Sequence, residues 1–395
     1  MAQNKIIGKT YCENPLYIMR ALAQVAEKFG WAIGGFAAAY TVSGSMGIAL
    51  FGLTMLLSAS IQSTLLRVLK TNIGPKQLRQ SLILRMISFG LLAVATWLNN
   101  FSLLLLGSAL SGLFVGLFWP SFYKLKNGGI EGWYLQEKAI GLMLTISSGL
   151  IIVGWNVVPV FIASMIAATG SLLMTYRIEI PSIHQQSKFF TNTSDQYIPT
   201  TQTAAALSFL EGSLFAIVLM TRRLVVLTGT IVIPGLSGIL SETLFIAVAG
   251  LLGASITHYS KDRVREHIRL YWGLSICTIG ILLACTGITK YWIIGILILG
   301  IGSTIIFPLN HSYVKGLLES QEISIDGFRE SWRNPGRLLG ALVATWIWFT
   351  YESHSAPFFF ALALIVGYGA FAYQSVNQIS SGTLINSKCV TERHI

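Results

Sequence analysis

The chain has 395 residues, of which 53% are hydrophobic and only 11% charged, with a formal net charge of +11. A soluble domain carries roughly 25% charged residues, so this composition, with a mean hydropathy of +0.65, excludes a water-facing globule and also the disordered and fibrous classes. The positive charge needs no nucleic acid to explain it, because a membrane protein gathers Lys and Arg on its cytoplasmic face beside anionic lipid headgroups.

The apolar residues come in long blocks. A bilayer core of about 30 Å takes roughly 20 helical residues, and no sustained period of two marks a transmembrane barrel. The spacing predicts an all-α integral membrane protein with twelve spans. They lie near 15–40, 45–67, 78–98, 101–123, 138–157, 159–177, 204–231, 236–257, 268–287, 291–314, 335–351 and 355–375. Met1 to Asn14 is polar and no short apolar core with a cleavage site follows, so the first span is expected to serve as an uncleaved insertion signal.

Charge placement orients these spans. With the N-terminus in the cytoplasm, five of the 27 Lys and Arg fall within spans (Arg20, Lys28, Arg85, Arg222 and Arg223), one falls outside (Lys290), and the rest are cytoplasmic. An incorrect helix count would scramble that bias. The polar stretch from Arg177 to Thr203 divides the spans six and six. The expected organisation is a six-helix bundle over 1–177, a cytoplasmic linker over 178–203, a second bundle over 204–375 and a cytoplasmic tail over 376–395. The expected location is the plasma membrane, with both termini inside.

Charges at membrane depth cost roughly 2.5–3.5 kcal/mol each on insertion scales, so they mark candidate sites. On the first span Arg20, Gln24, Glu27 and Trp31 fall within about 60° of one helical face at roughly 100° per residue, with Lys28 at its edge. On the seventh, Ser208, Glu211, Phe215 and Arg222 share a face, with Arg223 beside it. For Glu27 and Glu211 two readings stand: solute or proton handling, or a structural ion pair. Arg20 and Arg85 read as structural or interfacial, and Arg222 and Arg223 as ligands or as snorkelling side chains. Arg329, Glu330, Arg333 and Arg337 form a cluster expected to act as a cytoplasmic gate or hinge.

The two halves repeat one another. Phe118-Trp119-Pro120 with Tyr123 and Lys124 ends the fourth span, and Phe307-Pro308 with Tyr313 and Lys315 ends the tenth. The prolines are 188 positions apart, and Glu27 and Glu211 are 184 apart. With twelve spans split by a central loop, and with Arg329-Glu330…Asn334-Pro335-Gly336-Arg337 at the entry to the eleventh, the chain resembles the major facilitator superfamily, of prokaryotic type, over nearly its full length. The family's loop between helices two and three keeps only Gly74 and Lys76 here and lacks its Asp, and the fifth helix retains only Gly149 and Gly154 of the antiporter pattern.

The resemblance implies that helices one, four, seven and ten line a central cavity. That would add Ser108, Ser111, Trp119 and Tyr123 from the fourth, and Ser303, Asn310 and His311 from the tenth. It implies a secondary transporter working by alternating access, with a small solute as partner, anionic or amphiphilic, and protons as a candidate coupling ion. A lipid or amphiphile flippase of the same fold, and a non-transporting assembly factor or receptor, stand as alternatives. No phosphate-binding loop, His-Glu-x-x-His or Cys-x-x-Cys site occurs, and Cys12, Cys277, Cys285 and Cys389 lack metal-ligand spacing. No enzyme activity, cofactor, metal or nucleic acid is therefore expected, and the protein is expected to be a monomer.

Overall fold

The computed structural model describes residues 15–68, 75–125, 141, 143–144, 146–147, 150–152, 155–178, 199–228, 236–318 and 325–391. The linker core, the segment 126–140 and the loop residues Gly74, Lys76's neighbours 69–73 and Gly149 and Gly154 lie outside them, as do the side chains of Lys28 and Tyr123. Among the described residues there is no strand.

The first span opens as α1 (Pro15–Glu27), passes through a π-helical segment (Lys28–Gly35) and continues into α2 (Phe36–Val68). A kink at Ser43 and Gly44, where Gly44 has φ +59°, divides α2 into two helical parts. That left-handed conformation is open to Gly without a Cβ penalty. Then follow α3 (Pro75–Trp97) and α4 (Phe101–Leu125). The described residues of 141–152 are helical and constitute α5, and α6 is Val158–Thr175. After the linker come α7 (Pro199–Thr228), α8 (Leu236–Ser260), α9 (Glu266–Cys285), α10 (Thr289–Leu318), α11 (Ile325–Tyr351) and α12 (Ala356–Thr391).

Three boundaries differ from expectation. The seventh helix begins at Pro199, inside the expected linker, because Pro is well suited to the first helical turn. The eleventh begins at Ile325 and carries Pro335 within it, whereas the sequence pattern puts the helix start at that proline. The twelfth runs past its expected end to Thr391.

The exposed helix faces are apolar while several charges lie inside, which is the arrangement lipid demands. Leu57, Ile61 and Leu65 on α2, and Ile83, Ile87 and Val94 on α3, are exposed, while Arg20, Arg85, Arg223, Arg269, Arg329, Glu330 and Arg333 are buried. Trp97, Trp155, Tyr291 and Tyr351 stand exposed at the turns after α3, before α6, at the start of α10 and at the end of α11, positions suited to an interfacial aromatic belt. At that end His354 Nε2 donates to the Gly287 carbonyl at 3.0 Å, tying the turn before α12 to the turn before α10. Eight helical stretches among the described residues are long and apolar enough to cross a membrane, and α11, with five charged residues in its first half, is not one of them. The chain is a multi-pass membrane protein.

Glycine sets the closest approaches. A Cβ at Gly212 on α7 would stand 2.1 Å from the Arg333 carbonyl oxygen, and Cβ atoms at Gly336 and Gly340 on α11 would stand 2.1 Å and 2.2 Å from the carbonyl oxygens of Phe209 and Ser213. Such small residues let two backbones touch where lipid offers no hydrophobic drive between helices. The α7–α11 contact is the device that positions the site below. Helices up to α6 pack chiefly on one another, as do those from α7 onward, and α2 and α4 reach across to α7 and α11.

Candidate functional site

Two charge clusters occupy the interior. The first is built on α7, α10 and α11. Glu211 accepts from Arg329 Nη2 at 2.9 Å and pairs with Arg333 Nη2 at 3.0 Å. Asn310 Nδ2 of α10 donates to the second carboxylate oxygen. Glu330 pairs with Arg333 at 3.0 Å and with Arg337 at 3.4 Å, and Arg337 also donates to Asn334 Oδ1 at 2.7 Å. The guanidinium carbons of Arg329 and Arg333 lie 4.7 Å and 4.8 Å from the centre of the Phe307 ring, and that of Arg337 lies 5.6 Å from Phe215. Arg329, Arg333 and Arg337 share a face because they recur every four residues, and the close α7–α11 packing brings that face onto Glu211. Three cations thus meet two carboxylates.

The second cluster is built on α1, α3 and α4. Arg20 Nη1 lies 3.7 Å from Glu27, two turns on along the same face. The Arg20 guanidinium sits 4.5 Å from the Trp119 ring and 5.8 Å from Phe122. Glu27 is the last residue of α1, where the helix changes to π geometry, and such bulges occur often at functional sites. A Cβ at Gly30, inside that segment, would collide with the Phe89 ring of α3. Arg85, mid-way along α3, is 2% exposed. Its guanidinium lies 4.0 Å from the Phe114 ring and 5.1 Å from Phe89, within electrostatic reach of Glu27 and Arg20.

The residues expected at the site are distributed as follows. Arg20 and Glu27 come together with Trp119; Gln24 is buried beside them on α1 and Trp31 is half-buried, its Nε1 enclosed and without a hydrogen-bond partner among the described residues. Glu211, Asn310, Arg329, Glu330, Arg333 and Arg337 form one network. Phe215 is 45% exposed and touches it through Arg337. Arg222 and His311 are half-buried, and Arg223 is buried with its guanidinium 5.5 Å from Phe36.

Some residues belong elsewhere. The Ser108 and Ser111 hydroxyls are taken up by helix packing, donating to the Phe51 carbonyl at 2.6 Å and meeting Ser88 Oγ at 2.6 Å, and Ser303 bonds back to Gly300 within its own helix. In the arginine cluster expected to act as a gate, Arg329 and Arg333 pair with Glu211 of α7. Phe307 was singled out only as part of the repeat. The signal that finds it is the repeat itself: Trp119 and Phe307 each precede the helix proline, and each lies under a guanidinium paired to the repeat-related Glu.

No protein-family model matches the chain, and no curated protein matches it in sequence. Solved structures do. A bacterial homologue of the iron transporter ferroportin, in an outward-facing state, aligns over 92% of this chain and 98% of its own, with a TM-score of 0.63 at 12% identity. An auto-inhibited peptide transporter of the POT family covers 91% and 96%, with a TM-score of 0.64 at 8% identity. The E. coli fucose:proton symporter covers 91% and 98%, with a TM-score of 0.57 at 13% identity. The chain has the major facilitator fold.

Proposed function

We propose that the protein is a secondary active transporter that moves a small solute by alternating access, with bundles over 1–177 and 204–375 rocking against each other and both termini in the cytoplasm. The observation that carries this reading is the pairing of the two clusters. A half-buried carboxylate on α1 and another on α7 each hold a guanidinium, and that guanidinium lies over the aromatic residue before the proline of α4 or α10. Buried ion networks at repeat-related positions are costly in a membrane and suit a site between two mobile bundles.

The two carboxylates differ in ways that divide the labour. Glu211 is enclosed by two guanidinium groups and an amide, and a proton would displace short ion pairs there. Glu27 has one long pair at 3.7 Å and its side chain is 18% exposed. The charged groups facing it among the described side chains are Arg20 from its own helix and Arg85 from α3. Glu27 is therefore assigned the proton, and Glu211 with Arg329 and Arg333 the latch that opens and closes with the solute.

Reconstituted vesicles test this. Wild-type protein is expected to concentrate at least one member of a pooled solute library against its gradient when a proton gradient is imposed. Glu27→Gln is expected to lose that accumulation while keeping solute exchange. Accumulation by Glu27→Gln at the wild-type rate sinks the proton assignment; failure of wild type to move any solute sinks the transport reading.

A further inference from the structure

The sequence pattern groups Arg85 with the structural or interfacial cations, and the structure shows its setting. It sits at the centre of α3 rather than near an end, and it is almost fully buried. Among the described residues it makes no ion pair and no hydrogen bond; Nε and Nη2 are enclosed and unmatched. Its neighbours are the faces of Phe89 and Phe114. Helix α6, which packs on α3, carries no charged residue between Val158 and Thr175. Among the described residues the carboxylate within reach is Glu27, already engaged with Arg20. The Arg85 guanidinium is thus left unmatched among the described residues in a low-dielectric interior, where that is strongly disfavoured.

We propose that Arg85, with Arg20, receives the anionic group of the transported solute, a planar or tetrahedral oxyanion such as a carboxylate or phosphonate carried on an aromatic or apolar body. This rests on the transport reading above and names the chemical class of its solute. The oxyanion supplies the missing counter-charge, and the guanidinium fork matches its geometry with two parallel hydrogen bonds. The Phe89 and Phe114 rings lie against Arg85, and the Trp119 and Phe122 rings against Arg20, so the environment of the anion is apolar. The coupling follows from charge. With the anion seated, Glu27 would face a second negative group, so a proton on Glu27 and the anion at Arg85 bind together.

The test is binding to purified protein, read as ligand-dependent melting, with benzoate, phenylphosphonate and neutral benzamide as probes. Both anions are expected to stabilise wild type and benzamide is not. Arg85→Gln is expected to weaken benzoate binding by about tenfold to a hundredfold, the loss of a charge-assisted pair of hydrogen bonds, and Arg85→Lys by less, since it keeps the charge without the fork. Repeating the melts in nanodiscs of zwitterionic and of anionic lipid separates a soluble anion from a lipid headgroup as the source: stabilisation by anionic lipid alone, lost in Arg85→Gln, assigns the headgroup. If Arg85→Gln does not fold, Arg85→Lys and the wild-type selectivity decide. No response of wild type to any anionic probe or lipid, equal stabilisation by benzamide, or wild-type affinity in both variants overturns the proposal. A carrier of neutral solutes would fail here and still pass the vesicle assay, so the two failures are distinguishable.

Discussion

Replacing Glu211 with Gln removes one of two carboxylates from a network that holds three guanidinium groups. The net charge of the cluster rises from one positive to two, and Arg329 and Arg333 lose the oxygens now 2.9 Å and 3.0 Å away. Arg329 and Arg333 are buried and Glu211 is half-buried, with side-chain exposures of 1%, 7% and 11%, so water replaces the lost group poorly. Removing one partner of a buried pair costs roughly 3–5 kcal/mol. Arg333→Gln is the instructive contrast. It leaves Glu211 with Arg329 and Glu330 with Arg337 at 3.4 Å, so each carboxylate keeps a cation and the cost should be smaller. The double variant should recover about 0.5–3 kcal/mol relative to the sum of the singles, the coupling of residues in one network. Reversible unfolding in mixed micelles, followed by circular dichroism across a denaturing-detergent titration, measures all four proteins. A cost for Glu211→Gln below about 1 kcal/mol, the range of exposed surface pairs, or an additive cycle would refute the buried network.

Gly336→Ala should destabilise by about 1–3 kcal/mol, the usual cost of overpacking, because its Cβ meets the Phe209 carbonyl at 2.1 Å; Gly90→Ala, whose nearest neighbour is Met165 Sδ at 3.9 Å, should be neutral or mildly stabilising in the same melts. Trp119→Leu should cost about 0.5–2 kcal/mol through the lost stacking of Arg20, with Trp119→Phe retaining most of it; equal effects of the two would remove the cation–π contact from the account. Reporter fusions at Gln186 and Asn386 should both report cytoplasm, and a periplasmic signal at either overturns the orientation.

Helix positions were legible because lipid imposes a length and an apolar content that composition records directly. The Arg20–Glu27 pair was legible for a related reason, since helical spacing alone fixes a shared face. What the sequence hid depended on tertiary approach. Pro335 reads as a helix start, yet α11 continues through it from Ile325, and only that extra length puts Arg329 and Arg333 on a helical face against α7. The partnership with Glu211 then requires Gly212, Gly336 and Gly340 to let the backbones touch, which no local pattern announces. The burial of Arg85 against Phe89 and Phe114 was not legible, because it depends on which helices neighbour α3. Ser108 and Ser111 looked like cavity-lining polar groups, and only the packing of α4 on α2 and α3 shows their hydroxyls occupied.

Relative motion of the two bundles is the central claim, and one contact between them tests it most directly. Gly52 of α2 faces Met220 of α7, where an added Cβ would lie 2.6 Å from the Met220 sulfur. In a background with Cys12, Cys277, Cys285 and Cys389 replaced, Gly52→Cys with Met220→Cys can be joined by oxidation after reconstitution in vesicles. Solute exchange is predicted to fall to the level of empty vesicles on cross-linking and to return on reduction. Exchange by fully cross-linked protein at the reduced rate would contradict alternating access between these helices.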